Sequence, residues 1–384
     1  MSGRPVDEIV RIASDLVRIP SVSDSGGVYA AVDFVAAWLK ERGVKARIAE
    51  YGKGAPVAIA EAGSGKRSIL LNGHVDVVPA GDPSRWKHDP FSGKMDKDYL
   101  YGRGAGDMKA GLAVFMYLTA ELAGRVDYKI IFTAVSDEEV GGARGAKNTA
   151  ERYRPDLVLD CEAGNSRFIG LGEKGILQVR LVTNGISAHG SMPSRGKNAI
   201  MLMLDDLKRL SAIAKLKVRA PKGIAEALKN STMAYGPDVP IISYNPSVIN
   251  GGVKINVVPD CCEAYVDMRI PPGMSTAKGL RIVRSIVKSA AVTVHSSAEP
   301  NYTEPGDPYV AGFVKAAKRY VANPIRIIKA GGTDGRFFRY KGIPTISFGP
   351  GDVRTIHAYN ERAALKDIAT SYKVYRDYML ALPL

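Results

Sequence analysis

The spacing of apolar residues divides the first part of the chain into helices and short buried strands. Apolar positions recur with helical periodicity over residues 6–17 and 28–39, and a Gly-rich turn opens a third helical stretch at 107–122. Four short apolar runs have the length of buried strands: 57–62, 68–76, 129–136 and 156–161. This alternation predicts an α/β fold with a mixed or parallel sheet and covering helices.

The pattern changes near residue 176. Alternating strands and amphipathic helices follow in the order strand, helix, strand, strand, helix, strand, and the two middle strands are expected to meet at 258–260. This order predicts an inserted α+β module of the ferredoxin-like type. After about residue 297 the alternation of helices and buried strands returns, with helices at 309–321 and 361–380 and strands at 325–330 and 344–348. We therefore predict a discontinuous catalytic domain (1–176 and 297–384) and an inserted lid or dimerisation domain (177–296).

Composition narrows the class of protein. At 384 residues, with 46% hydrophobic residues, the chain suits two globular domains. It has no apolar run of about 18 residues that would span a membrane, and its first residues lack the apolar core of a signal peptide. Three cysteines are an odd number, which argues against a disulfide framework and favours a cytoplasmic location.

The net charge of +14 does not indicate nucleic-acid binding. Lysines and arginines are spread along the chain, and no block of like charges is interleaved with aromatic residues. A basic surface that attracts a small anionic substrate, or one that only aids solubility, explains the charge.

Acids and histidines stand at the ends of the apolar runs. Each has an ordinary structural explanation when taken alone, such as a helix N-cap for Asp107. Together they are typical of a metal site, because buried carboxylates and imidazoles are unfavourable unless paired or metal-bound, and because strand ends are where α/β folds collect their sites. Two ions with about three ligands each and one bridging carboxylate need five ligands, and five separate strand ends or loops each contribute a His, Asp or Glu. The candidates are His74, Asp76, Asp107, Glu138, Glu139, Glu162 and His357.

The segments around these residues resemble the zinc aminoacylase/carboxypeptidase family that includes succinyl-diaminopimelate desuccinylase and acetylornithine deacetylase. The resemblance covers nearly the whole chain and rests on five segments in the family's order: GHVDVVP, W-x-x-DPF at 86–91, YGRGAGDMKAG, DEEVGG and GPG…IHAYNE.

The resemblance implies a role for each candidate. His74 and Glu162 would hold one Zn²⁺, Glu139 and His357 would hold a second, and Asp107 would bridge them, with Co²⁺ or Mn²⁺ as alternative ions. Asp76 would orient His74, and Glu138 would be the general base. The family often has Gly-Glu-Pro where this chain has Cys161-Glu162-Ala163. The peptide bond after Asp107 is expected to be cis.

The resemblance also implies a homodimer formed through the inserted domain, in which His189 reaches the partner's active site and binds the oxyanion. Asn256, Arg269 and, as a weaker candidate, Arg336 would bind a small anionic substrate. The expected activity is hydrolysis of an N-acyl amino acid of the N-succinyl-diaminopimelate or N-acetylornithine type. A carboxypeptidase or dipeptidase of the same family, and a catalytically inactive binding protein, are the alternatives.

Overall fold

A computed structural model describes residues 5–382 and divides them into two compact units. The first unit comprises the chain up to Gly172, residues 303–327 and the chain from Thr333 onward. The second comprises residues 173–302 and 328–332.

The helices and strands alternate along most of the chain. The helices are α1 (Pro5–Val17), α2 (Gly27–Glu41), α3 (Ala110–Leu122), α4 (Ala146–Arg152), α5 (Ala199–Leu210), α6 (Ala225–Asn230), α7 (Thr232–Tyr235), α8 (Thr276–Ile286), α9 (Pro308–Ala317), α10 (Gly335–Arg339) and α11 (Leu365–Leu380). The strands are β1 (Lys45–Gly52), β2 (Ala55–Ala62), β3 (Ser68–His74), β4 (Tyr99–Tyr101), β5 (Lys129–Val135), β6 (Leu157–Asp160), β7 (Phe168–Glu173), β8 (Gly175–Asn184), β9 (Ser243–Gly251), β10 (Cys261–Ile270), β11 (Ala291–Ala298), β12 (Asn301–Tyr302), β13 (Ile325–Lys329), β14 (Thr345–Ser347) and β15 (Arg362–Ala364).

A mixed sheet forms the centre of the first unit. Its strand order is β1-β2-β5-β3-β6-β14-β7, and β13 also pairs with β7. The strands β5, β3, β6 and β14 are adjacent and parallel, so their carboxyl ends meet at one edge of the sheet. The antiparallel strands β1 and β2 extend the sheet beyond β5. The predicted α/β class with a mixed sheet is confirmed.

Both faces of this sheet are buried, because successive side chains of a strand point to opposite faces. Ile69 and Leu71 of β3 belong to the larger core, which includes Phe115 of α3. Leu70 belongs to a smaller core, which includes Phe338 of α10. Burial on both faces explains why the consecutive residues Ile69, Leu70 and Leu71 of β3 are all apolar.

The second unit is an antiparallel sheet with the strand order β11-β8-β10-β9. The helices α5 and α8 contribute Met203 and Val283 to its apolar core. The helix α5 begins at the N-cap Asn198, whose side chain accepts hydrogen bonds from the N–H groups of Ile200 and Met201. This arrangement confirms the predicted α+β module. One detail differs: the two middle strands do not meet at 258–260. Strand β9 already ends at Gly251, and residues 252–260 form a loop that begins at Gly252, whose φ is +78°.

Two further observations concern membrane-spanning helices and cysteines. Within residues 5–382, no helix combines the length and the apolar character that crossing a membrane requires. The three cysteines are free thiols; Cys161 and Cys262 are buried, and Cys261 is exposed.

Candidate metal centre

The carboxyl ends of the four adjacent parallel strands carry most of the predicted site residues. His74 is the last residue of β3, and Glu138 and Glu139 follow β5. Glu162 follows β6, and the loop after β14 leads to His357. Polar groups that follow neighbouring parallel strands lie close together, which is why this edge is the usual place for a site in α/β folds.

Asp107 reaches the same edge from a different element. It lies in the five-residue turn Ala105–Lys109 that leads into α3. Its side chain is buried together with that of His74. The peptide bond between Asp107 and Met108 is cis, as the family resemblance implied.

The two carboxylate oxygens of Asp107 contact different histidines. The Oδ1 atom lies 3.2 Å from Nε2 of His74, which is also 3.8 Å from Oε1 of Glu162. The Oδ2 atom lies 3.2 Å from Nε2 of His357, which is also 3.0 Å from Oε1 of Glu139. Asp107 thus stands between two groups of potential ligands.

Glu138 is as close to this cluster as the predicted ligands are. The ligand atoms of His74, Glu138 and Glu162 all lie within 4.8 Å of one another, and so do those of His74, Asp107 and Glu139. Proximity therefore does not separate a metal ligand from a base among the two adjacent glutamates, and that division of roles stays a prediction.

The pKa values of these groups reflect the crowding of charge. Burial alone would lower the pKa of His74, but hydrogen bonds with Asp107 and Asp76 raise it well above its usual range. Hydrogen bonds with Asp107 and Glu139 raise the pKa of His357 to about 10. Burial raises the pKa of Glu139 to about 7 and that of Glu138 well above its usual range.

These residues fit divalent metal ions. Imidazole nitrogens and carboxylate oxygens are donors that zinc accepts in catalytic sites. In the present geometry the imidazoles of His74 and His357 supply the positive charge that the buried carboxylates need. A divalent cation between the same atoms would supply it instead, since metal ions bind neutral imidazole and ionised carboxylate.

Comparison with known proteins agrees with this donor set. A sequence model of the peptidase family M20/M25/M40 matches residues 70–381. The chain belongs to this peptidase family. It is therefore a metallohydrolase, and its family typically requires metal ions.

The family relatives extend over the whole chain. A succinyl-diaminopimelate desuccinylase of Methylocella silvestris is 29% identical, covering 96% of this chain and 97% of its own. One of Ehrlichia canis is 25% identical, covering 96% and 97%. The crystal structure of an M20 metallo-carboxypeptidase from Sulfolobus solfataricus has a TM-score of 0.82 at 21% identity, covering 97% of this chain and 99% of its own. That likeness shows the shared fold.

Asp76 makes more contacts than the family resemblance implied. Its backbone carbonyl is 2.9 Å from Nδ1 of His74, while its carboxylate is 3.5 Å from the same atom. The carboxylate accepts hydrogen bonds from the backbone N–H groups of Glu138 and Glu139, each at 3.2 Å, and from the Ser23 hydroxyl at 2.8 Å. Asp76 therefore fixes the turn that carries both glutamates. Ser23 had no signal in the sequence.

The four predicted substrate-binding or oxyanion residues each have contacts within their own unit. His189 and Asn256 are exposed neighbours in the second unit, where the N–H of Gly190 donates to the Asn256 carbonyl. Arg269 makes a two-pronged ion pair with Asp267, at 2.9 Å for each bond. Their predicted roles stay predictions.

Arg336 has a contact that its predicted role did not include. It is buried, and its Nη2 donates to the Gly141 carbonyl at 2.7 Å. It therefore holds the turn that follows Glu139. Binding of substrate by Arg336 stays a prediction.

Two buried charged residues near the cluster had no role at the level of sequence. Arg103 and Glu361 form an ion pair in which Nη1 lies 2.5 Å from Oε2. Both stand inside segments that carry the family resemblance, and that position is the only signal the sequence offers for them.

Proposed function

We propose that the chain is a dinuclear metal amidohydrolase that cleaves the amide bond of N-acyl amino acids. The observation that carries this proposal is the position of Asp107, with one carboxylate oxygen beside His74 and the other beside His357. In the proposed site His74 and Glu162 would hold one ion, Glu139 and His357 would hold the other, and Asp107 would serve both. Zn²⁺ is the proposed ion, with Co²⁺ or Mn²⁺ as alternatives.

The proposed chemistry divides the work between the ions and Glu138. Two divalent cations held there would make a water molecule more acidic and would polarise the carbonyl of the scissile amide. The Glu138 carboxylate takes a proton from the attacking water and delivers it to the leaving amine.

The proposed substrate is a small N-acyl amino acid with a free carboxylate, of the N-succinyl-diaminopimelate or N-acetylornithine type. The relatives named as desuccinylases at 25–29% identity support this class. The net charge of +14 is compatible with an anionic substrate. Arg269 and Arg336 are the proposed partners of its carboxylates, because a guanidinium binds a carboxylate with two parallel hydrogen bonds.

A homodimer is proposed to complete the site. The second unit has an exposed apolar surface around the loop that follows its edge strand β9, where Val253 and Ile255 are 85% and 103% exposed. A second copy of the chain would bury this surface, since apolar patches of this kind mark interfaces. In such a dimer His189 of one copy would donate a hydrogen bond to the oxyanion in the other.

Mixing two inactive variants tests the contribution of His189. If the partner supplies this residue, His189→Ala and Glu138→Gln subunits regain activity when they are mixed, to about a quarter of the wild-type rate for random C2 dimers. If each subunit uses its own His189, the mixture stays inactive.

The substitution Glu138→Gln tests the chemistry. It keeps the shape of the side chain and removes the base, so we expect metal content to be retained and turnover to fall by about 10²–10⁴-fold. Full activity in this variant would overturn the proposal. Rates on N-succinyl-diaminopimelate, N-acetylornithine and a set of dipeptides decide between a deacylase and the alternative peptidase.

A further inference from the structure

The buried Arg103–Glu361 pair connects the segments that carry two of the proposed metal ligands. We propose that this pair is a positioning device for the second metal site, the one formed by Asp107, Glu139 and His357. In this role Glu361 fixes the backbone of Asp107, and Arg103 fixes the backbone of His357. The inference rests on the proposed function and assigns residues that lie behind the ligands.

Glu361 fixes the turn that carries Asp107. Its side chain is fully buried. Its Oε1 atom accepts two backbone hydrogen bonds, from the N–H of Gly106 at 2.9 Å and from the N–H of Asp107 at 3.0 Å. Its other oxygen, Oε2, accepts from Nη1 of Arg103. All of these bonds involve a charged group, which makes them stronger than neutral hydrogen bonds.

Arg103 connects Glu361 to two further segments, the one around His357 and the one around Pro79. It donates to the backbone carbonyls of His357 and Pro79 at 3.4 Å each, and to that of Ala358 at 3.3 Å. Its guanidinium also lies 5.2 Å from the ring centroid of Trp86, within cation–π range. One side chain therefore contacts the His357 loop and the segment that follows β3.

The loop that carries His357 (residues 348–361) needs the hydrogen bonds that Arg103 donates to it. The His357 side chain is 49% exposed, so packing alone does not hold it. Its φ is +60°, in the left-handed region that residues other than glycine enter only when their surroundings impose it. Bonds from Arg103 to the carbonyls of His357 and Ala358 are contacts that hold this conformation.

The substitution Glu361→Gln separates positioning from simple stabilisation. A glutamine has one acceptor oxygen where glutamate has two. It can serve either Arg103 or the two N–H groups of the Asp107 turn, and its amide NH₂ then faces a donor on the other side. The shape of the side chain is nearly unchanged, so the variant breaks the connection between the two ligand segments with the least loss of packing.

A matched control is available in the second unit. Asp206 is also fully buried, accepts backbone N–H bonds from Lys288, Ser289 and Ala290, and pairs with Arg209. The substitution Asp206→Asn removes a similar buried carboxylate far along the chain from the metal ligands. We expect it to lower the unfolding temperature and to leave metal affinity unchanged.

The experiment measures the affinities of metal-free protein for Zn²⁺ by competition with a chelator, together with thermal unfolding of the metal-free protein. Loss of a residue that supports a metal ligand weakens metal binding by about 10–100-fold. We expect Glu361→Gln to weaken the binding of the ion that His357→Ala also loses by this factor. Because Asp107 is proposed to serve both ions, binding of the other ion is expected to weaken as well. Arg103→Lys keeps the positive charge but not the forked donor. We expect it to weaken the binding of the ion that His357→Ala loses.

Three results are decisive. If wild-type protein binds two ions and both Glu361→Gln and Arg103→Lys bind them with wild-type affinity, the pair is only structural and the inference is wrong, while the proposed function stands. If Glu361→Gln does not fold, the folded Arg103→Lys variant decides by the same criterion. If wild-type protein binds no Zn²⁺, the proposed function and this inference are both wrong.

Discussion

Replacing Asp76 with asparagine tests how the two adjacent glutamates are held. In the wild-type protein the buried Asp76 carboxylate accepts the N–H groups of Glu138 and Glu139 on separate oxygens. Asparagine has only one acceptor oxygen, so one N–H group loses its partner and faces the asparagine NH₂ group. A buried donor without an acceptor is unfavourable by about 1–3 kcal/mol. We expect the unfolding free energy of the metal-free protein to fall by about that amount.

The same change should also weaken metal binding. Glu139 is a proposed ligand, and loss of the group behind a ligand lowers metal affinity by about 10–100-fold. The assays are urea unfolding of metal-free protein, Zn²⁺ competition and kcat/KM. Asp82→Asn is the control, because Asp82 is an exposed cap whose carboxylate accepts from the Ser84 N–H. Wild-type metal affinity and turnover in Asp76→Asn would refute the reasoning that Asp76 places these glutamates.

Two further predictions concern packing and pH. Gly351→Ala would place a Cβ atom 2.0 Å from the Gly106 carbonyl oxygen, next to Asp107. We expect thermal unfolding to show a loss of about 1–3 kcal/mol in unfolding free energy, together with weaker Zn²⁺ binding. Gly306→Ala, whose Cβ meets nothing within 4 Å, should change neither. Burial lowers the pKa of Lys174 from 10.5 to about 8. Between these pH values the unfolded chain keeps a proton that the folded chain has lost, so this lysine makes the unfolding free energy rise with pH, by about 3 kcal/mol in total. Urea unfolding at pH 8 and 10 should show about 2 kcal/mol of this rise in wild-type protein relative to Lys174→Met. Parallel pH profiles would contradict the prediction.

The sequence predicts the elements that carry the site because each is built from a strong local pattern. The runs at 68–76, 129–136 and 156–161 each contain at least three consecutive apolar residues, since both faces of their strands are buried. Their ends therefore identify the positions of His74, Glu138 and Glu162. By contrast, the apolar pattern does not predict β1, because only one of its eight residues is buried and Ile48 remains 42% accessible.

Contacts between distant segments are not available from local patterns. Arg103 and Glu361 are 258 positions apart, and only the fold places one beside the other. The same holds for Asp76, whose carboxylate binds backbone groups 62 and 63 positions away. Arg336 differs in another way: its residue type indicated a partner for substrate, and its buried contact with the Gly141 carbonyl depends on the turn after β5.

The number of metal ions bound per chain tests the central claim most directly. Metal analysis of wild-type protein and of His357→Ala, both dialysed at a fixed free Zn²⁺ concentration, compares the two proposed sites. Because His357 contacts only Asp107 and Glu139 among the proposed ligands, we predict two ions per wild-type chain and one per His357→Ala chain. A wild-type chain that binds no ion, or a His357→Ala chain that still binds two with wild-type affinity, would contradict a pair of sites that share Asp107.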